Sequence, residues 1–296
     1  MTPYIAIFTK NRSNPAYEAA RIGAERAAER LGARVEHFVP EIADDADQQS
    51  QLVEQALKTR PDAFVFTRVH LTKVEPALDL VTAAGIPIVS YVGRMAPGRC
   101  ITHVGATDFQ LASDVADRLF EHIGGSGKVA VLEGPPSTTT NIDRVRGYEA
   151  AAKRWPGIEL VARASGWNLR EPGRVAFAEL LQQHARIDGV LAANDDMAIG
   201  ALAAMDAVGR TAAVVGVNAI PEAIDLIGQG RMVATADFNA MLLCHLATEC
   251  AIRHVRGEAV PPDIELSAPI VDRHNYQRWD LPYRQRPLST LQEITA

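Results

Sequence analysis

The chain has 296 residues, 47 % apolar and 22 % charged, and a net charge of −6. That is enough chain for two medium-sized cores. The acidic balance excludes a sequence-wide attraction for nucleic acid or anionic membrane, and no apolar run reaches the roughly 18 residues of a membrane span.

The opening run Met1-Thr2-Pro3-Tyr4-Ile5-Ala6-Ile7-Phe8 lacks the basic and apolar regions of a leader peptide. Tyr4–Phe8 reads as a strand buried on both faces. Pro15–Leu31 repeats Ala19, Ile22, Ala27 and Leu31 at helical spacing and stops at Gly32. Val35–Val39, Ala63–Thr67 and Ile86–Val92 follow as strands, with helices over Gln48–Lys58 and Val74–Ala84. Short apolar strands alternating with helices predict parallel βαβ units. The pattern restarts with a helix over Phe109–Ile123 and a turn at Gly124–Gly127. Strands are expected at Lys128–Glu133, Glu159–Ala164, Gly189–Ala193, Ala213–Val217 and Met232–Ala236. Helices are expected at Arg144–Arg154, Pro172–His184, Met197–Val208, Pro221–Ile227 and Ala240–Arg256. The chain therefore contains two similar open α/β halves. From Asn275 the tail carries Tyr276, Trp279, Pro282, Tyr283 and Pro287 without a period. Its aromatics favour an ordered strap lying on the body.

Open parallel sheets bind ligands outside the carboxyl ends of their strands. The segments there are Thr9–Tyr17, Gly93-Arg94, Gly134–Asn141, Ser165-Gly166-Trp167-Asn168, Asn194-Asp195-Asp196, Asn218 and Asp237-Phe238-Asn239. They are rich in amides, with a few charges and aromatic rings. An amide donates and accepts at once, and a carboxylate accepts in pairs. Such mixed partners suit a polyhydroxylated molecule, whose C–H faces lie on rings such as Trp167 and Tyr17. A buried hydroxyl without a partner costs about 1–3 kcal/mol.

Catalytic and metal patterns are missing. Gly124-Gly125-Ser126-Gly127-Lys128 fails as a phosphate loop, because His122 and Val129 stand where Gly and Ser/Thr belong. It also fails as a nucleophile elbow, with Lys128 in place of the last Gly. The eight histidines are dispersed, and His245 and His254 are nine residues apart on one helix. No catalytic residue, metal or cofactor is expected. Cys100, Cys244 and Cys250 are too few for a disulfide framework and are expected as buried thiols.

The string Gly189-Val190-Leu191-Ala192-Ala193-Asn194-Asp195-Asp196-Met197-Ala198-Ile199-Gly200-Ala201-Leu202 is highly specific. With Ser13–Tyr17, Arg144–Tyr148, Val214–Glu222 and Ala234–Phe238, it makes residues 4–272 resemble the ribose- and galactose-type periplasmic sugar-binding proteins. The effector domains of lactose-repressor-type regulators are similar too. The resemblance implies an α/β fold of two doubly wound parallel-sheet lobes joined by a three-strand hinge, the type I periplasmic binding protein. The first lobe would hold 1–105 and 239–266, and the second 106–238 and 267–296. Hinge closure would trap the ligand.

Carried over from the family, Asn14 and Asn194 match ligand-bonding amides, and Tyr17 and Trp167 match stacking rings. Lys10 stands where a Ser is usual, Asn218 where ribose binders have an acid, and Phe238, flanked by Asp237, where an amide is usual. Asn141 neighbours the place of a contacting Arg, and Arg94 is offset by one from another. The expected ligand contacts are therefore Lys10, Asn14, Tyr17, Arg94, Asn141, Trp167, Asn194, Asn218, Asp237 and Phe238. These departures favour a ligand smaller or more reduced than ribose, such as a linear polyol.

Several residues have a plainer reading. Asn14 and Asn194 also suit helix N-caps, and Trp167 could plug a core. Lys10 and Arg12 could be solvated loop charges, and Asp195 and Asp196 suit a helix N-terminus. Arg144 is expected in a structural ion pair. The expected partners are a small sugar or polyol and an ABC transporter permease, with no nucleic acid and no membrane insertion. A monomer is expected, in the periplasm with its leader peptide already removed. The competing readings are a regulator's effector domain, which needs a helix-turn-helix ahead of Tyr4, and a receptor for chemotaxis or signalling. A Rossmann-type enzyme needs a Gly-rich first turn, and Thr9–Tyr17 has no glycine.

Overall fold

The structure, a computed structural model, describes residues 2–295. In chain order the elements are β1 (Tyr4–Phe8), α1 (Pro15–Leu31), β2 (Arg34–Phe38), α2 (Ala46–Thr59), β3 (Ala63–Phe66), α3 (Glu75–Ala83), β4 (Ile88–Tyr91) and β5 (Thr102–Ala106). Then come α4 (Asp108–His122), β6 (Ser126–Glu133), α5 (Thr139–Arg154), β7 (Gly157–Ser165), α6 (Arg170–Gln183), β8 (Gly189–Ala192), α7 (Asp195–Val208), β9 (Ala213–Val217), α8 (Pro221–Gly228) and β10 (Ala234–Ala236). The chain ends with α9 (Ala240–Val255), β11 (Asp263–Leu266), β12 (Ile270–Asp272) and α10 (Leu291–Thr295).

Two compact units result. The first comprises the chain up to Ala106, Asn239–Leu266 and the chain from Pro282 on; the second comprises Thr107–Phe238 and Ser267–Leu281. The first unit's sheet runs β2-β1-β3-β4-β5-β11, all parallel. The second unit's sheet runs β7-β6-β8-β9-β10-β12, parallel except that β12 is antiparallel to β10. The strand order reverses at β1/β3 and at β6/β8. Loops leaving the carboxyl ends diverge at such a switch point and leave a crevice.

Local chemistry fixes the elements. All five β1 residues are buried, and Phe8 stacks on Phe38 and Phe64 with ring centroids 5.1 and 5.0 Å away. Burying one such ring stabilises the unit by roughly 2–3 kcal/mol. Helix α1 begins at the Asn14 cap with Pro15 in its first turn and ends on left-handed Gly32. It crosses α9 at Gly23, where an added Cβ would lie 2.1 Å from the Met241 carbonyl oxygen, so only glycine fits.

Three strands have no counterpart in the sequence reading. In β5 only Val104 is a large apolar residue, and the strand exists because β4 and β11 flank it. β11 is a four-residue edge strand and β12 has three residues. Helix α5 starts about a turn before the expected Arg144, because the Thr138 hydroxyl caps the Asn141 N–H at 3.3 Å. Cys244 and Cys250 are buried, but Cys100 is only half-buried.

The tail is ordered and divided. Tyr276 and Trp279 pack on Ala219, Ile224 and Val271 of the second unit. The sequence assigns all of 267–296 to the second lobe, yet residues from Pro282 on belong to the first unit. The reason is a set of side-chain contacts that no periodicity reveals. Tyr283 and Leu288 pack on Ala19, Ile22 and Met241. Arg284 pairs with Glu25 at 2.9 Å, and the Leu291 N–H donates to Glu249 Oε2 at 3.0 Å. Glu249, wholly buried, is balanced by Arg30 and Arg253.

Candidate functional site

In the first unit the loop after β1 is folded by Asn11. Its Nδ2 donates to Asp44 Oδ1 at 3.1 Å, and its Oδ1 accepts the Asn14 N–H at 3.0 Å. Asn14 in turn accepts the Ala16 N–H at 2.9 Å, the capping bond. Arg21 ties the loop to the helix by donating to Thr9 Oγ1 and to the Asn11 carbonyl, both at 3.2 Å. Lys10, Asn14 and Tyr17, which follow this strand, are each buried. Lys10 is therefore no solvated loop charge. The neighbouring loop after β3 is braced by buried Gln49, which donates to the Thr67 carbonyl at 3.0 Å and accepts the Val69 N–H at 3.1 Å.

The Arg94 guanidinium grips Asp263, the first residue of β11, in a bidentate pair at 2.7 and 3.1 Å. That hydrogen bond, foremost, holds its pKa above the ordinary arginine value. The expected contact Arg94 is thus paired with an acid of β11, and its side chain is 56 % exposed.

In the second unit the loop ends are tied to one another. The Gly134 N–H, leaving β6, donates to Asn141 Oδ1 at 2.6 Å. A Cβ at Gly134 would lie 2.4 Å from Asn168 Oδ1, so both amides converge on this glycine. After β7, Trp167 and Asn168 take φ values of 56° and 62°. Two successive left-handed side-chain-bearing residues cost about 1–2 kcal/mol each, and such strain persists only where the surroundings impose it. Asn194 imposes it here: Nδ2 donates to the Asn168 carbonyl at 2.8 Å while Oδ1 caps α7 at the Met197 N–H, 2.9 Å. Trp167 is 53 % exposed, so it is no core plug.

Arg144 binds the end of β8, donating to the Ala193 carbonyl and to Asp108 Oδ1, both at 2.6 Å. Its guanidinium lies over the Phe238 ring, 5.7 Å from the centroid. The expected ion pair thus has Asp108 as its acid, and it also seats a candidate ring. At β9, Asn218 and Ala219 are left-handed, with φ 127° and 52°. Asp195 supports this turn from below. Its Oδ2 accepts the Ile220 N–H at 3.0 Å, and its Oδ1 accepts the Thr235 hydroxyl at 2.7 Å. Thr235 Oγ1 in turn accepts the Ala219 N–H at 3.3 Å. Full burial pushes the Asp195 carboxyl up to about 7 against the lowering pull of those two donors. Burial likewise raises Asp196, which pairs with Arg170 at 3.2 Å. At β10, Asp237 Oδ2 accepts the Trp279 indole N–H at 2.7 Å.

The side chains at these strand ends are mainly amides and rings, groups that pair with hydroxyls and with apolar faces. Burial pushes the Cys244 and Cys250 thiols up to about 12, which keeps them protonated. Ser90 Oγ and His103 Nδ1 lie 2.7 Å apart, but Ser90 is wholly buried, and desolvation lowers His103 to about 4. Among the described residues no three His, Cys, Asp or Glu side chains cluster as metal ligands. Sequence reasoning missed Asn168, Gln49 and the seating role of Arg144. Asn168 carried a signal, its place beside Trp167, whereas Gln49 was hidden in an ordinary helical pattern.

A family model described as periplasmic binding protein domain matches residues 5–259. Over 90 % of this chain and 85 % of that protein, the chain is 27 % identical to a ribose import binding protein of Bacillus subtilis. It is 30 % identical to a D-apiose import binding protein of Actinobacillus succinogenes, over 71 % of this chain and 68 % of that one. Among solved structures, an ABC transporter periplasmic solute binding protein from Actinobacillus succinogenes with bound D-allose superposes with a TM-score of 0.87. It shares 30 % identity and covers 93 % of this chain and 99 % of its own. An ABC transporter solute binding protein from Mycobacterium smegmatis with bound glycerol gives 0.86 at 28 % identity, covering 94 % and 96 %.

Proposed function

The chain belongs to the periplasmic binding protein domain family, and from that premise we propose that it captures a neutral sugar or polyol and delivers it to the permease of an ABC importer. The observation that carries the reading is the joined amide set of the second unit. Asn141, Asn168 and Asn194 converge at the ends of β6, β7 and β8 beside a strained, half-exposed Trp167. Amides satisfy hydroxyls in both directions without carrying charge, and an open indole face suits the C–H side of a carbohydrate. The proposed contacts are Lys10, Asn14, Tyr17 and Arg94 on the first unit. On the second they are Asn141, Trp167, Asn194, Asn218, Asp237 and Phe238. The names of the relatives, import binding proteins for ribose and apiose, support the transport role. The bound D-allose and glycerol of the two neighbours support a hydroxylated ligand. A periplasmic location follows from the same reading, and catalysis forms no part of it.

A thermal-shift panel of pentoses, hexoses and polyols tests the proposal. A true ligand at a hundredfold excess over Kd adds about 3 kcal/mol of stability. If every carbohydrate leaves the melting point unmoved while an amino acid or an anion raises it, the proposed ligand class is wrong.

A further inference from the structure

Two candidate contacts of the second unit have a support that their own strands do not supply. Asp237 and the Asn218–Ala219 turn are both backed by Trp279, 42 residues beyond Asp237. The indole N–H donates to Asp237 Oδ2 at 2.7 Å. Indole has a single donor and no acceptor, so this bond anchors one oxygen of the carboxylate. The same ring packs on the cluster of Ala219, Ile224 and Val271, in which Ala219 holds a φ of 52° that an alanine rarely adopts.

The strap that carries Trp279 is itself built rigidly. Strand β12 pairs with β10, and Asn275 closes the next turn by accepting the Asp272 N–H and donating to the Ile270 carbonyl, both at 2.9 Å. Tyr276 then lies against Gly228, where an added Cβ would come 2.9 Å from its ring.

We propose that Trp279 is a positioning residue for ligand capture, holding Asp237 and the Asn218 turn in the orientation that meets the ligand's hydroxyls. The inference rests on the proposed function above.

A double-mutant cycle on the full chain tests it. The probe is the tightest binder among D-ribose, D-allose, D-apiose, xylitol and myo-inositol, with Kd read by calorimetry. Asp237→Ala is expected to weaken binding about 100-fold and Trp279→Phe about tenfold. If Trp279 acts through Asp237, the double variant stays within about twofold of Asp237→Ala alone. Asn275→Ala, which loosens the strap turn without touching the carboxylate or the Ala219 cluster, should stay within about twofold of the parent. Should Trp279→Phe fail to fold, Trp279→Met, which also lacks the N–H, is read in the same cycle. Multiplicative losses in the double variant, or an equal loss in Asn275→Ala, would mean a merely structural strap and overturn the inference. So would an unchanged Kd in Trp279→Phe alongside a weakened Asp237→Ala, with the function left standing. If none of the five binds, the probe is the tightest binder of the wider thermal-shift panel, and a panel in which no carbohydrate binds overturns the proposed function and this inference with it.

Discussion

Replacing Asp195 by Asn should make the protein more stable above neutral pH. The carboxyl is wholly buried and is raised from an ordinary 3.8 to about 7, desolvation outweighing its two hydrogen bonds. Each pKa unit is worth 1.36 kcal/mol, so the protonated form is favoured by about 4 kcal/mol in the folded state. The folded pKa lies above the unfolded one. The stabilising contribution is therefore complete below about 3.8 and is lost as pH rises through about 7. An amide is neutral at every pH. Its oxygen can accept the Ile220 N–H and its nitrogen can donate to Thr235 Oγ1, the two partners the carboxylate already uses. Urea unfolding of both proteins at half-unit pH steps measures the effect, and subtracting the curves removes every other titrating group. The variant's advantage should grow by about 2–3 kcal/mol between pH 5 and pH 8. A pH-independent difference, or a variant that loses ground as pH rises, would refute the assignment of the proton to Asp195.

Trp167→Ala should weaken sugar or polyol binding by at least tenfold while leaving the urea midpoint of the free protein nearly unmoved, because the ring is 53 % exposed. Asn194→Asp keeps the α7 cap but sets a carboxylate oxygen against the Asn168 carbonyl. Calorimetry should therefore show a larger loss of affinity than Asn194→Ser, which keeps the cap without the repulsion. Gly23→Ala should destabilise by more than about 2 kcal/mol, as its methyl would meet backbone rather than a yielding side chain; a change below about 0.5 kcal/mol would contradict the close α1–α9 crossing. Ending the chain at Leu281 removes Tyr283, Leu288 and the Leu291 N–H bond to Glu249. A melting point lowered by several degrees is expected, and an unchanged one would show that this part of the strap contributes no stability.

Much of the molecule was legible because its signals are local. The apolar run Tyr4–Phe8, the Asn14-Pro15 entry and Gly32 exit of α1, and the Asn194 cap of α7 each act within a few residues. Repeated through the chain, they specify two parallel α/β units and predict which loops leave the carboxyl ends of the strands. The family string around Asn194 is of the same kind. β5 was not legible, since Thr102–Ala106 has little apolar pattern and is a strand only because its neighbours supply partners on both sides. The partner of Arg94 was not legible either, since Asp263, which pairs with its guanidinium, is 169 residues away.

The sequence by itself determined the alternation of elements, the helix caps and the stock of amides and rings at the strand ends, because hydrophobic period and capping depend on neighbours along the chain. Tertiary structure alone decided that Asn168 joins Asn141 and Asn194, that Arg144 seats Phe238, and that Trp279 reaches back to Asp237. Those are pairings between residues far apart in the chain. They are set by where packing delivers each side chain, and no spacing in the sequence encodes them.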